Sequence, residues 1–448
     1  MACVTVQLGQ CGTQLGHHLL SSLHDDAKHS SSIVSSNANE EYTNASLSTF
    51  FQEARSGQHE ARSVMIDMEA KAVNCALQGT SGKGWSYPKE GQFCQKSGSG
   101  NNWSYGYKVH APQCREPIMD MVQHEVEKCD HFGGFLVLSS LAGGTGSGLG
   151  SYITGSLRDA FPHASILNPV VCPYTEGEVA VQSYNALLSL AHTCDTADAS
   201  ILLHNDHVHR ICEKLLGIKH VSFNDVNGVV AKQLASLLQP VTFSSDGNLS
   251  MNFRNVLNEI VYTSACHGQY TMLDLKSIPH VAQASVAYST FSWDSLIKRI
   301  YQMMITDFYM DEGLDWHRKL SVSSSYNTGR HPRYVSNLVV MRGKQALAPP
   351  ESENPDFQNP VLYPAWIPAS ARCPIWKINR PFEKIEKSVA LLSNGTSCVK
   401  PLDDVVSKAW QMYGARAYLH QYTKNAELFD AILAVLSWSK EGEAVIHS

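Results

Sequence analysis

Short apolar runs alternate with longer stretches in which apolar residues recur every three or four positions. Val4–Leu8 reads as a strand, followed at once by Gly9 and a helix with Leu15, Leu19 and Leu23 on one face. Ser63–Asp67, Gly134–Leu141, Ser165–Cys172 and Ser200–His204 read as further strands. Between them lie helical patterns, such as Glu116–Asp130 with Ile118, Val122 and Val126 stacked. This alternation predicts a parallel sheet with helices on both faces. Phe223–Leu238 reads as one long helix, apolar at Val226, Val229, Val230, Leu234, Leu237 and Leu238 and stopped by Pro240. Beyond it the pattern is mixed. Strands are expected near Tyr270–Leu275 and Val335–Met341, loops at the Ser-rich 321–325 and Pro-rich 348–370, and helix again from Val399 onward.

Composition narrows the class. The 448 residues are 43% hydrophobic and 17% charged, with a net charge of −6, an ordinary globular mix able to bury a large core. No dense basic run suggests a nucleic-acid partner, and no apolar run is long enough to cross a membrane. The twelve cysteines are scattered with neither C-x-x-C nor zinc-site spacing. The N-terminus lacks the pattern of a signal peptide, so free thiols in a reducing cytosol are expected.

The chemistry concentrates at Ala142-Gly143-Gly144-Thr145-Gly146-Ser147-Gly148, between a buried strand and a helix. Main chain without side chains wraps a phosphate closely, and N–H groups at a helix start attract anions; Thr145 and Ser147 add hydroxyl donors. No Lys follows the glycines as a P-loop requires. The run also lies mid-domain, not after the first strand as in a dinucleotide fold. A flexible glycine-rich turn is the bland alternative, and a metabolic nucleotide or dinucleotide enzyme another. The latter wants catalytic residues beside the turn, and none stands out.

AGGTGSG matches the signature of the tubulin family, and further segments resembling that family follow in its order. They are GQCGTQLG (Gly9–Gly16), DMEAK from Asp67, GSGNNWSYGY (Gly98–Tyr107), VVCPYTEGEVAVQSYN, HNDHVHRIC, FNDVNGVV and AYLHQYT (Ala417–Thr423). The resemblance spans nearly the whole chain, and FCQKSGSGNNWSYGY and VTVQLGQCG look most like the delta branch. It implies an α/β, tubulin-like fold: a Rossmann-type parallel-sheet GTP-binding domain with a central helix (1–240), a mixed α/β domain (241–384) and a C-terminal helical region (385–448). AYLHQYT is expected in the family's C-terminal helix.

The same resemblance implies the site. Gln10 and Cys11 open the first helix toward the diphosphate, by backbone contact and not thiol chemistry, and Gln14 stands within reach of the base. Asp67 and Glu69, alternate residues at a strand end, suit a hydrated Mg²⁺. Gly98, Gly100, Asn101 and Asn102 form a second cradle for the terminal phosphate of GTP or GDP. Glu178 and Gln182 match ribose contacts. Asn205 and Asn227 match the two guanine-reading amides, and Phe223 matches an aromatic stacked on the base, where the bland alternative is a core ring. His204, His207 and His209 are expected to be a coincidence, not a metal site. Asn255 and Glu259 match the groups that orient water at the nucleotide of the next subunit, but Leu257 stands where an Asp is expected, so binding is better founded than hydrolysis. The C-terminus, WSKEGEAVIHS, has only Glu441 and Glu443 acidic, and poor recognition by tail-modifying enzymes is expected.

The partners implied are other tubulins and centriolar or basal-body proteins, with no nucleic acid or membrane. The place implied is the cytoskeleton of the cytoplasm, at the centriole, centrosome and ciliary basal body. An ordinary cytoplasmic microtubule subunit, a nucleotide-binding regulator that does not polymerise, and an interaction protein without nucleotide remain as alternatives.

Overall fold

A computed structural model describes residues 1–54, 57–177, 179–241, 256–264, 270–320, 332–347 and 357–422. Among the described residues ten strands form one sheet. In chain order β1 is Ala2–Leu8, β2 Ser63–Asp67, β3 Gln92–Cys94, β4 Phe132–Ser140 and β5 Ser165–Cys172. They continue with β6 Ala199–His204, β7 Met272–Ile278, β8 Tyr334–Gly343, β9 Ile375–Ile378 and β10 Lys387–Gly395. The spatial order is β9-β8-β10-β7-β6-β5-β4-β1-β2-β3. Every neighbour pair from β7 through β3 is parallel, and only β10 runs antiparallel to its two neighbours.

Both faces are covered, so the central strands are buried on alternate and intervening residues alike. On one face Val4, Val6 and Leu8 pack with Phe135, Val137 and Ile166 under helices Ala111–Glu127 and Gly150–Ala160. On the other, Leu15, Leu19 and Leu23 of the helix Gly9–Lys28 meet Leu136, Leu138 and the central helix Phe223–Leu238. A further core joins the helix Trp293–Thr306 to β8 and β10 through Leu296, Ile300, Met303, Val339 and Leu391.

The predicted α/β fold is present, and the central helix has the expected bounds. Two segments differ from expectation. Residues 387–395, within the stretch expected to be helical, form β10 and complete the sheet between β7 and β8. The last long described helix is Val399–Gly414, and Ala417–Tyr422 is not helical but a turn with one 3₁₀ segment, Leu419–Gln421. Arg416 (φ 53°) and Tyr418 (φ 55°) take left-handed conformations there, which an L-residue α-helix does not continue through.

Candidate functional site

The registers align the C-terminal ends of six parallel strands. Leu8 of β1 lies beside Ile66, Asp67 beside Cys94, Ser140 beside Val171, and Cys172 beside His204. The chain segments leaving β1, β2, β3, β4, β5 and β6 therefore emerge along one edge, where open α/β sheets bind ligands. All the proposed nucleotide residues of the N-terminal half follow one of these ends.

The glycine turn leaves β4 at Leu141, passes through a π-type turn at Thr145–Leu149 and enters the helix Gly150–Ala160. Ala142 N–H donates to Ser140 Oγ at 3.3 Å. The amides of Gly143 and Gly144 meet no acceptor among the described residues, and an added Cβ at Gly143 would face open space. Amides at a helix start with no partner and an open face fit an anion. Ser147 corrects the sequence expectation. It is buried and its hydroxyl donates to the Gly143 carbonyl, so it braces the turn and is not a free donor.

Gly9 has φ +70°, and a Cβ there would lie 2.7 Å from Gly146 N, so the start of the first helix rests directly on the turn. Gln10 is exposed beside this contact and Cys11 is partly buried. Burial pushes the Cys11 thiol up to about 11, against a weaker lowering by Ser140. A thiol held protonated in this way favours backbone contact over thiol chemistry.

The second cradle lies against the first. A Cβ on Gly144 would meet Ser99 Cβ at 2.7 Å and Asn102 N at 2.8 Å. Ser99 Oγ lies 3.2 Å from Thr145 Oγ1 and 2.9 Å from His110 Nδ1. Asn101 holds φ 53°, a left-handed position that Asn tolerates. Asn102 caps the next turn by accepting from Tyr105 N–H at 3.2 Å. Gly100 faces open space, and the backbone of Gly98 is in contact with the Glu69 carboxylate.

Asp67 ends β2 in a buried position, and its Oδ1 accepts the Glu69 N–H at 3.4 Å. Burial raises its carboxyl to about 6. Glu69 is exposed, with the extended backbone of a helix N-cap. No Lys, Arg or His forms an ion pair with either among the described residues.

The base-reading candidates flank this edge. Asn205 opens the helix Asn205–Lys214 directly after β6, and Asn227 lies one turn into the central helix; both are buried. Phe223 begins the central helix 61% exposed, which excludes a core role, and the Tyr174 ring lies 6.0 Å away. Gln14 is partly buried on the first helix, whose next turn is tied to the central helix by His18 Nε2 and Asn224 Oδ1 at 2.9 Å. Gln182 donates to Tyr174 O at 3.0 Å and lies against Gly177, so its amide holds the segment after β5. Glu178 lies outside the described residues.

His207 stacks on Tyr309 at 4.1 Å, and His209 Nδ1 pairs with Tyr174 OH at 3.1 Å. No group of three or more metal-ligating side chains converges among the described residues.

The helix that carries Glu259 reaches the other edge of the sheet. This helix, Val256–Ser264, ends where Asn394 Nδ2 donates to Ser264 O at 2.8 Å and to Tyr270 O at 2.6 Å, just before β7 begins. Asn255 and the side chain of Leu257 lie outside the described residues, as does the C-terminal WSKEGEAVIHS.

One residue missing from the sequence-based list ties the two cradles together. Asn185 is fully buried and donates to Asn101 O and Ala142 O, both at 2.8 Å. Its signal in the sequence is an amide in an otherwise apolar stretch, Tyr184–Leu188.

A family model described as Tubulin/FtsZ family, GTPase domain, matches residues 2–213. The chain is 42% identical over 438 residues to the tubulin delta chain of Homo sapiens, covering 95% of this chain and 94% of that one. It is 41% identical over 433 residues to the tubulin delta chain of Mus musculus, with the same coverage. To the tubulin beta chain of Cicer arietinum it is 25% identical over 423 residues, covering 93% of this chain and 88% of that one.

Proposed function

Because the chain belongs to the tubulin family, we propose that it is a guanine-nucleotide-binding subunit that associates with other tubulins and serves centriolar and basal-body microtubules at the base of cilia. One observation carries the nucleotide reading. Two glycine-rich turns, a carboxylate pair and two buried amides follow the aligned ends of adjacent parallel strands, and the turns present open backbone. Main-chain amides of Gly143 to Gly146 hold the phosphates, the Gly98–Asn102 loop meets the terminal one, and Asn205, Asn227 and Phe223 take the purine.

Asp67 and Glu69 fit Mg²⁺. They are two oxygen donors beside the phosphate loops, one a buried carboxylate with no cationic partner among the described residues, and Mg²⁺ takes few protein ligands. Bound there, the ion would offset phosphate charge.

The helix of Glu259 ends at the edge opposite the glycine turn, which supports head-to-tail association, in which the acid of one subunit meets the nucleotide of the next. The centriolar assignment rests on the likeness to delta chains, at 41–42% identity against 24–25% for beta chains.

Nucleotide extracted from the purified chain should be GTP or GDP, with turnover measured alone and with partner tubulins. Glu259→Ala should abolish partner-stimulated turnover and leave binding unchanged. Persistent turnover in that variant would remove Glu259 from its role. A chain that retains NAD and no guanine nucleotide would overturn the whole reading.

A further inference from the structure

We propose that Asn185 is a positioning residue that sets the gap between the two phosphate loops, and that the Tyr422 hydroxyl holds it in register. This rests on the guanine-nucleotide reading above and names a determinant of GTP-over-GDP preference within that site.

The amide of Asn185 uses its full bonding capacity. Nδ2 donates to Asn101 O and to Ala142 O, both at 2.8 Å. Oδ1 accepts from Trp103 N–H at 3.0 Å and from Tyr422 OH at 2.6 Å. Two carbonyls face the nitrogen and two donors face the oxygen, so the amide has one orientation only. Both Asn185 and Tyr422 are buried, where an unmet carbonyl or amide is costly. The four partners come from the second cradle, the glycine turn, the segment after the second cradle, and the C-terminal part of the chain. Ala142 opens the turn assigned to the run of phosphates, whereas Asn101 belongs to the loop assigned to the terminal one. A group that ties the two fixes how far apart they stand, which matters more for a nucleotide spanning both than for one that fills only the first.

Tyr422 makes the linkage reach further. Its ring packs edge-on to Tyr184 at 5.3 Å, and Tyr184 OH donates to Ala417 O at 3.1 Å. The C-terminal segment is therefore bonded to the helix that carries Asn185, and through it to both loops.

Asn185→Asp keeps the shape but sets a carboxylate against two carbonyl oxygens. Tyr422→Phe removes one hydroxyl only. Affinities of the full chain for GTP, GDP and ATP are measured by displacement of a fluorescent guanine nucleotide. Asn185→Asp should lower the GTP-to-GDP affinity ratio about tenfold and Tyr422→Phe about threefold, as expected for losing one or two buried hydrogen bonds. Discrimination against ATP should persist, because Asn205 and Asn227 are untouched. Equal loss for GTP and GDP, or no change in either variant, would overturn the proposal. Should Asn185→Asp fail to fold, Tyr422→Phe decides by the same ratio. A wild-type chain without guanine-nucleotide affinity would remove the underlying site and this inference with it.

Discussion

Phe223 keeps 61% of its surface in solvent although it begins a helix whose next apolar positions, Val226, Val229 and Val230, are buried. A large ring left exposed at a functional edge invites a planar partner. Removing it should therefore cost binding and spare the fold. Phe223→Ala is expected to weaken guanine-nucleotide binding by about 1–3 kcal/mol, with the thermal midpoint of the empty protein nearly unchanged. Equal nucleotide affinity in the variant would leave the ring without a stacking role. Ser147 and Gln182 show the opposite behaviour. Both are polar residues in matched segments, yet each side chain bonds to its own local backbone. Residue type was legible in the sequence; the direction of a hydroxyl or amide was not, because that depends on which carbonyl lies within 3 Å after folding. Asn185 illustrates the same limit, since three of its partners are main-chain atoms, the fourth is the Tyr422 hydroxyl, and all are distant along the chain.

The central helix is defined at both ends by specific groups. At its start Ser222 Oγ accepts from Asp225 N–H at 3.4 Å, and the Asp225 carboxylate accepts from Ser222 N–H at 2.9 Å, a reciprocal cap. At its end the buried Arg342 guanidinium donates to Ser236 O at 2.6 Å, Gln239 O at 2.5 Å and Pro240 O at 2.8 Å. The last carbonyls of a helix lack internal partners and carry partial negative charge, so a cation there is favourable. Burial lowers the Arg342 pKa, a sign of the desolvation that these bonds offset. Arg342→Met strands three buried carbonyls and should destabilise the protein by on the order of 3 kcal/mol, read as a lower urea midpoint. An unchanged midpoint would mean that water replaces the guanidinium. The helix itself was plain from its 3.6-residue period, but its clamp was not, because Arg342 belongs to a strand about a hundred residues later. For the same reason β10 escaped detection. Its apolar core, Val389–Leu392, is too short for its period to be distinguished from a buried helical turn.

Across the whole molecule the two sheet edges differ in chemistry, with glycine turns and buried amides at one and the helix of Glu259 at the other. A body polarised in this way is sensitive to conditions that loosen it as a unit, and acid is one. Burial lowers the pKa of His17, His207 and His280 to about 4 from an ordinary 6.5. They lie on the first helix, on the helix opened by Asn205, and after β7. Between pH 6.5 and about 4 the unfolded chain binds protons at these positions and the folded chain does not, so stability falls as pH falls through that window. Asp67 and Glu125 are raised by burial and act in the other sense, whereas Asp225 and Asp274 are held below 3.8 and titrate beneath the window. The net slope of the parent therefore mixes opposing groups, and one imidazole is isolated only by comparison with a variant. His207 stacks on Tyr309 at 4.1 Å and 2°, a contact that a phenyl ring reproduces without titrating. His207→Phe should match the parent in urea near pH 7.5 and lose less stability between pH 6.5 and 4. Parallel pH profiles for the two proteins would show that His207 takes up its proton in the folded state, against the burial that encloses it.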